Sequence, residues 1–515
     1  MTHALLRRSF GPFFARFGRL NDVQVAAVPI VLAGRSLLLT SPTASGKTEA
    51  AVAPLVERHL PGGTSELRIL YVVPTRALVN DLGRRLEGPL AAMSLPLALK
   101  TGDIPTLRPT EPAAVLVTTP ESLDSLLCRQ PRRFSTLQAL VLDELHLVDG
   151  TYRGDQLRVL LERLPAGLQR LALSATVHAP ELMARRYLGP EAEVLAIGEP
   201  RGLDFHLAPD LADAVAMLKR EKRHKAIVFC NRRKDVEEVV QKLGELWPKN
   251  RIVAHHGSLS TKERTSAEQA MRDWPWGLCV ATMTLEVGID VGDVDAVVLY
   301  GPPHTPSAFQ QRVGRGCRRE ARGVAIGVCL APEDEAEFGV LAELAVQGVV
   351  EAHDVLPDPS VVVQQLFSLL FGHPTGLDRA HVEALVRPLV EPHTLSAILD
   401  HLTREGYVER AGLGRLRAST KLMDLGEKGR IHSNVPNVRE QVFVDGSGRQ
   451  IGKLELGVAP GDVLMLGGRA WKVRAIRGST VQVEASSLSV AVREFKKRRD
   501  GGAFRWLLPE AMRAG

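Results

Sequence analysis

No apolar run in the sequence approaches the roughly 18–20 residues needed to span a bilayer, which excludes a helical membrane protein. A secretory leader is not expected either: in MTHALLRRSFGPFFARFG (1–18) arginines interrupt every apolar stretch, so this segment has no h-region. Cysteine is scarce. Cys128, Cys230, Cys279, Cys317 and Cys329 stand far apart with no CxxC pair. That spacing excludes a disulfide scaffold, a zinc ribbon and a four-cysteine iron–sulfur cluster, and it fits a reducing cytoplasm. Low-complexity tracts and short-period repeats are absent. So is a large excess of one charge: 65 Lys and Arg face 59 Asp and Glu, a formal +6. Residues 431–515 hold 14 of the basic and 8 of the acidic residues, which leaves 51 against 51 in everything before them. Such a surplus permits nucleic-acid binding without establishing it. Its location makes the basic end, REFKKRRD (493–500) included, a candidate auxiliary grip.

What is present is a 515-residue chain, long enough for about three or four domains, with 45% hydrophobic residues to build their cores. From about residue 36 to 331, short apolar runs alternate with amphipathic stretches. One set reads SLLLTSPT (36–43), RILYVVPT (68–75), AVLVTTP (114–120), ALVLDE (139–144) and RLALSAT (170–176). A second reads KAIVFCN (225–231), RIVAHHG (251–257), LCVATM (278–283), AVVLYGPP (296–303) and GVAIGVCL (323–330). Continuous apolar runs between helices predict buried parallel strands, hence an α/β fold. Polar, Gly or Pro residues end nearly every run, where such sheets place ligands. Residues 180–220, with GEPRG (198–202) as linker, separate two tandem α/β domains. After 331 the period becomes helical: 361–371, 378–389, and a stretch with Leu395, Ile398, Leu399 and Leu402 on one face. GYVERAGLGRLRAST (406–420) then reads as a hairpin, a helices-then-wing pattern. From 440 onward, short strands broken by Gly and Asp predict a small all-β barrel or sandwich. The expected units are therefore 1–195, 196–350, 351–435 and 436–515.

SPTASGKT (41–48) follows a predicted strand and opens a helix. A tight loop there presents the backbone N–H groups of Thr43, Ala44, Ser45 and Gly46 to phosphates, backed by the helix N-terminus. Lys47 would reach the β- and γ-phosphates and Thr48 would hold Mg²⁺. Ser41 stands where the strict pattern has glycine. About a hundred residues on, DELH (143–146) ends a strand: Asp143 suits Mg²⁺, with Thr48, and Glu144 suits orienting an attacking water.

With these two motifs in place, the series resembles superfamily 2 helicases. Gln24, preceded by Phe17, resembles the Q-motif region that contacts adenine. PTRAL (74–78) and TTPESL (118–123) resemble backbone-gripping motifs, and SAT (174–176) the element coupling hydrolysis to strand handling. VFCNRR (228–233), HHGSLS (255–260), ATMTLEVGIDVGDVD (281–295) and QRVGRGCR (311–318) follow in family order, so the match spans about residues 10–330. The resemblance implies two RecA-like domains with ATP between them. Arg315 and Arg318, three apart on one helical face, would be arginine fingers joined by Gln311, with Gly288 and Asp290 at the ribose. Pro74, Thr75, Arg76, Thr119, Pro120, Asn231, Arg232 and Thr282 would grip the nucleic-acid backbone. His146, Ser174 and Thr176 would couple the two sites. His255 and His256, adjacent on a strand, face opposite ways and are not expected to share a metal.

DELH departs from the DEAD tetrad. DELHLVDGTYRGDQLRVLLERLP (143–165) and IGKLE…PGDVLMLGGRAWKVRAI (451–476) resemble the large helicase-related (Lhr) family. That resemblance implies two RecA-like domains, a winged helix and a small β-domain, with 3′→5′ movement on single-stranded DNA. It implies ATP and Mg²⁺ as cofactors, DNA and RNA–DNA duplexes as substrates, a cytoplasmic location, and a role in repair. Only about fifteen residues separate Asp295 from Gln311, which leaves no room for a long strand-separating hairpin there. The alternatives are an RNA helicase or RNP remodeller, and a nucleic-acid-stimulated ATPase acting as a scaffold. Trp471, Trp506 and the WPW at 274–276 are candidates for base stacking, with Trp471 better suited to core packing.

Overall fold

Runs such as LLLT and ALVL are apolar on both faces of a pleated strand, so they are satisfied only with helices packed on each side. In the computed structural model that is their setting. The residues described are 2–42, 45–60, 62–103, 107–108, 110–175, 177–197, 202–285, 292–316, 322–350, 356–435, 441–454, 460–466, 469–477, 480–486 and 502–513. The first lobe is a seven-stranded parallel sheet of β1 (Leu37–Thr40), β2 (Ile69–Val72), β3 (Leu97–Lys100), β4 (Val115–Thr118), β5 (Ala139–Leu142), β6 (Gln169–Ser174) and β7 (Glu193–Ala196). Its spatial order is β3-β4-β2-β5-β6-β1-β7. Alternate residues supply opposite layers: Leu37, Leu39, Tyr71 and Val141 join one apolar cluster, Leu38, Leu70, Leu140 and Leu142 the other.

The second lobe repeats the plan with β8 (Gly202–Ala208), β9 (Lys225–Cys230), β10 (Ile252–His255), β11 (Gly277–Ala281), β12 (Ala296–Tyr300) and β13 (Arg322–Val328). These are all parallel, in the order β10-β11-β9-β12-β13-β8. The stretch 180–220, expected as a separator, instead carries β7, β8 and the helix Leu211–Arg220. β3, β7 and β8 lie at sheet edges and are only half buried, so they lack the continuous apolar run that marks a central strand.

Past the second lobe, helices Pro359–Gly372, Arg379–Val386, Pro392–Arg404 and Thr420–Glu427 surround a small antiparallel sheet. Its strands are β14 (Leu377–Asp378), β15 (Val408–Ala411) and β16 (Arg415–Ala418), in the order β14-β16-β15. Leu395, Ile398, Leu399 and Leu402 are at most 1% exposed, each contributing roughly 1.5–3 kcal/mol by leaving water. This unit sits on the first lobe. Helix Pro359–Gly372 packs on helices Pro120–Arg129 and Tyr152–Glu162, around the fully buried carboxylate of Asp124. Asp124 pairs with Arg163 and accepts from Ser368 Oγ (2.7 Å), Gln364 Nε2 (3.0 Å) and His432 Nδ1 (3.1 Å). Burial raises its pKa, but Arg163 and His432 outweigh that and hold it below the ordinary value, as expected for a buried charge that is paired and hydrogen-bonded.

The last strands, β17 (Gln441–Val444), β18 (Gln450–Leu454), β19 (Val463–Leu466), β20 (Arg469–Arg477) and β21 (Thr480–Ala485), order as β18-β17-β21-β20-β19. β17 and β21 are parallel, and among the described residues the sheet is open, with no pairing of β18 to β19. It docks on the second lobe: Phe443, Ile451, Leu466 and Trp471 share a cluster with Leu259 and Ala254, and Ser260 N–H donates to the Ile451 carbonyl at 2.9 Å. A Cβ on Gly452 would stand 2.4 Å from the Ser258 carbonyl, so only glycine allows this approach. The sequence division assigned the chain end to this sheet. Instead, Phe504, Leu507 and Leu508 pack into the helical third unit, with Phe504 edge-on to Phe367 at 5.6 Å. The basic stretch 487–501 lies outside the described residues.

Candidate active site and nucleic-acid interface

β5, β6 and β1 are neighbours in the sheet, so the segments leaving their C-terminal ends, DELH, SA and SPTASGKT, meet side by side. The last of these turns into helix Lys47–His59. Lys47 Nζ donates to the carbonyls of Ser41 (2.6 Å) and Pro42 (2.9 Å), and Ser41 Oγ bonds Ser45 Oγ across the loop at 2.5 Å. That hydroxyl pair accounts for a serine at the first position. Gly46 has φ +79°, and a Cβ there would meet Gln24 Nε2 at 2.5 Å, so glycine is required. Thr43 and Ala44 lie outside the described residues.

Gln24 and Asn21 form a reciprocal cap on helix Asp22–Leu32. Gln24 Nε2 faces the Gly46 carbonyl at 3.5 Å and Asn21 Nδ2 donates to the Ser45 carbonyl at 2.9 Å. The SPTASGKT loop is thus tied to the start of helix Asp22–Leu32. Asn21 was not among the expected site residues, although N-x-x-Q before an apolar run is the capping-box signature.

Asp143 is half-buried between two donors: Glu144 N–H to Oδ1 (2.8 Å) and Tyr71 Oη–H to Oδ2 (2.6 Å). Burial, then the charge of Glu144, raises its pKa to about 6. Tyr71, on β2, also hydrogen-bonds the Thr48 side chain, and burial drives its own pKa well above 10, so it remains a donor. Thr48 is 7% exposed. A hydroxyl and a carboxylate held together beside a second acid form an oxygen-only donor set, which fits Mg²⁺. Glu144 sits at φ +48°, a conformation that costs a non-glycine residue roughly 1–3 kcal/mol and is typical of functional positions. His146 Nδ1 lies 3.2 Å from Ser174 Oγ and 3.3 Å from the Ala175 N–H that donates to it, with Glu144 Oε2 at 3.6 Å. Burial and the nearby Lys47 charge lower its pKa to about 4, so the ring is neutral at pH 7. Thr176 lies outside the described residues.

Lys47, Thr48, Asp143, Glu144 and Gln24 line one cleft of about 830 Å³, and Arg315 of the second lobe joins them there. Arg315 is 2% exposed and its charge is felt at Lys47, whose pKa is lowered first by burial. The helix Pro306–Val313 ends before it, and Arg315 leaves the turn after Gly314. Gln311 is half buried on that helix and does not line the cleft. Gly288, Asp290 and Arg318 lie outside the described residues.

A second cleft of about 820 Å³ runs between the first lobe and residues 429–435 of the third unit. Pro74, Thr75, Arg76 and Thr119 line it. Thr75 and Thr119 cap helices Arg76–Ala92 and Pro120–Arg129, accepting from Leu78 N–H and Ser122 N–H. The cleft therefore meets two helix N-termini, whose partial positive charge favours anions. Pro120 is the first residue of its helix. In the second lobe Asn231 accepts from Arg312 Nη1 (2.7 Å) and donates to the Pro302 carbonyl (2.7 Å). Arg232 forks onto Asp235 (3.0 and 2.9 Å), and Thr282 is buried. None of these three lines the second cleft. His255 and His256 reach different carboxylates, Glu268 and Glu237. Trp471 is a core residue donating to the Leu466 carbonyl, while Trp274 and Trp276 both stack on Arg251. Among the described residues no helix is long and apolar enough to cross a membrane.

The DEAD/DEAH box helicase model matches residues 21–184, and the helicase conserved C-terminal domain model matches 209–320. The chain is 28% identical to an ATP-dependent helicase Lhr-Core of Methanothermobacter thermautotrophicus, over 94% of this chain and 64% of that protein. It is 29% identical to a Lhr helicase/probable uracil glycosylase of Mycolicibacterium smegmatis, over 59% and 25%. The chain thus spans less than two thirds of these curated relatives. Among solved structures, Mycobacterium smegmatis helicase Lhr bound to ssDNA and AMP-PNP matches with TM-score 0.74 and 26% identity, over 84% of this chain and 62% of that one. The DUF1998 helicase MrfA bound to DNA shares the fold, with TM-score 0.77 at 22% identity over 94% and 73%.

Proposed function

The chain belongs to the superfamily 2 helicases and is of the Lhr-like kind, and from that premise we propose that it is an ATP- and Mg²⁺-dependent motor that moves 3′→5′ on single-stranded DNA. The observation that carries this reading is the convergence of Lys47, Thr48, Asp143 and Glu144 with Arg315 from the other lobe on a single cleft. In this reading Lys47 steadies the β- and γ-phosphates, Thr48 and Asp143 hold Mg²⁺, and Glu144 orients the attacking water. Mg²⁺ would offset charge on the transferring phosphoryl group. Arg315 adds positive charge only when the lobes are closed, so loss of the γ-phosphate favours their parting. Gln24 places the base, with Gly288 and Asp290 at the ribose and Arg318 and Gln311 completing the second-lobe side on closure. His146 with Ser174 and Thr176 relays the state of the acid pair to the neighbouring strand end.

The cleft between the first lobe and residues 429–435 is the strand path, with Thr75, Arg76 and Thr119 gripping phosphates and Asn231, Arg232 and Thr282 gripping from the second lobe. The third unit is a winged helix and the fourth a small five-stranded β-domain, and these two part the duplex, DNA or RNA–DNA hybrid, in DNA repair. Strand displacement on 3′- and 5′-tailed DNA, RNA and hybrid duplexes, at stated salt, tests the whole reading. Unwinding of 3′-tailed DNA, lost in Lys47→Ala, supports it. Preference for RNA would favour a remodeller, and ATPase without unwinding would favour a scaffold.

A further inference from the structure

The two backbone grips of the first lobe belong to different strands, β2 and β4, and to separate loops. A motor that advances along a strand needs them at one fixed spacing. A single side chain joins them. Arg153 Nε donates to Glu121 Oε1 at 2.6 Å, and its Nη2 donates to Glu121 Oε2 at 3.0 Å and to the Pro74 carbonyl. Pro74 precedes the cap Thr75, and Glu121 is the second residue of the helix capped by Thr119. The guanidinium therefore bonds both helix starts at once. Its side chain and that of Glu121 are 22% and 19% exposed, and both line the cleft.

The base of this link is itself fixed. Arg153 lies in the first turn of helix Tyr152–Glu162, capped by Thr151. A Cβ on the next residue, Gly154, would fall 2.3 Å from the Val148 carbonyl and 2.7 Å from Tyr187 Oη. The helix start is thus pressed against the segment that follows DELH. Three acceptors met by one planar fork is a geometry that lysine does not reproduce.

We propose that Arg153 is a positioning residue that locks the two first-lobe grips at a single spacing, rather than a phosphate contact in its own right. The proposal rests on reading this cleft as the strand path. Glu121 separates the two roles by sign. If Arg153 bound phosphate directly, Glu121→Gln would free the guanidinium and remove a negative charge from the path, so DNA would bind more tightly. If Arg153 locks the grips, the same change loosens them and DNA binds more weakly.

The experiment measures single-stranded DNA affinity by anisotropy, and the DNA concentration giving half-maximal ATPase, for the full chain. It compares wild type, Arg153→Lys, Glu121→Gln and the double variant. Both single changes are expected to weaken DNA binding by about tenfold. The double variant should be no worse than the weaker single one, and turnover at saturating DNA should change much less than half-saturation. Tighter or unchanged binding by Glu121→Gln overturns the proposal. So do wild-type affinity in Arg153→Lys, fully additive losses, or equal loss of turnover and half-saturation. A wild-type chain that binds no DNA would remove the functional reading itself, which is a different result from any of these.

Discussion

In the first lobe, hydrogen bonds run from Thr48 through Tyr71 to Asp143 and the Glu144 N–H, and beside them His146 meets Ser174 and the Ala175 N–H. In the second lobe, Asn231 and Arg232 are engaged by their own neighbours, Arg312 and Asp235. Among the described residues, Arg315 is that lobe's contribution to the cleft. The proposed nucleotide site is in that sense built by one lobe and completed by the other. On this account, binding is a property of the first lobe and turnover a property of both.

The comparison breaks most visibly at Lys47. Lys47→Ala should lower ATPase by about a hundredfold or more and weaken nucleotide affinity as well, measured by steady-state turnover and by titration with a fluorescent nucleotide. Next is His146. Its pKa of about 4 against 6.5 in an unfolded chain means that the unfolded state takes the proton more readily. Stability from the neutral ring is therefore intact above pH 6.5 and is lost progressively as pH falls towards 4, by up to about 3 kcal/mol. Denaturant melts across that range should show this slope in wild type and a flatter one in His146→Gln. Tyr71→Phe removes a donor from a half-buried carboxylate and should cost about 1–3 kcal/mol of first-lobe stability, read from the same melts. The smallest effect is expected in the second lobe. Arg232 is 71% exposed, and Arg232→Ala should reduce the salt slope of DNA binding by about one charge, with little change in stability.

The central strands and their polar ends were legible because burial on both faces demands an unbroken apolar run. Lys47, Asp143 and Glu144 stand at such ends, and their convergence follows from β1, β5 and β6 being neighbours. The edge strands β3, β7 and β8 were not legible, since a half-exposed strand such as GLDFHLA mixes polar and apolar residues. Tyr71 was hidden for the opposite reason. Within RILYVVPT it reads as one more core residue, and only the pairing of β2 with β5 sets its hydroxyl against Asp143. The docking of the third unit was equally out of reach, because Asp124 and His432 are 308 residues apart and neither has a local pattern that announces a partner.

The most direct test of a site built by one lobe and completed by the other is Arg315→Ala, with nucleotide affinity and DNA-stimulated turnover measured on the same protein. The account predicts that affinity stays within a fewfold of wild type while turnover falls by about a thousandfold, the scale of an arginine that acts only in the transition state. Turnover retained at wild-type level, or affinity lost in step with turnover, would contradict it.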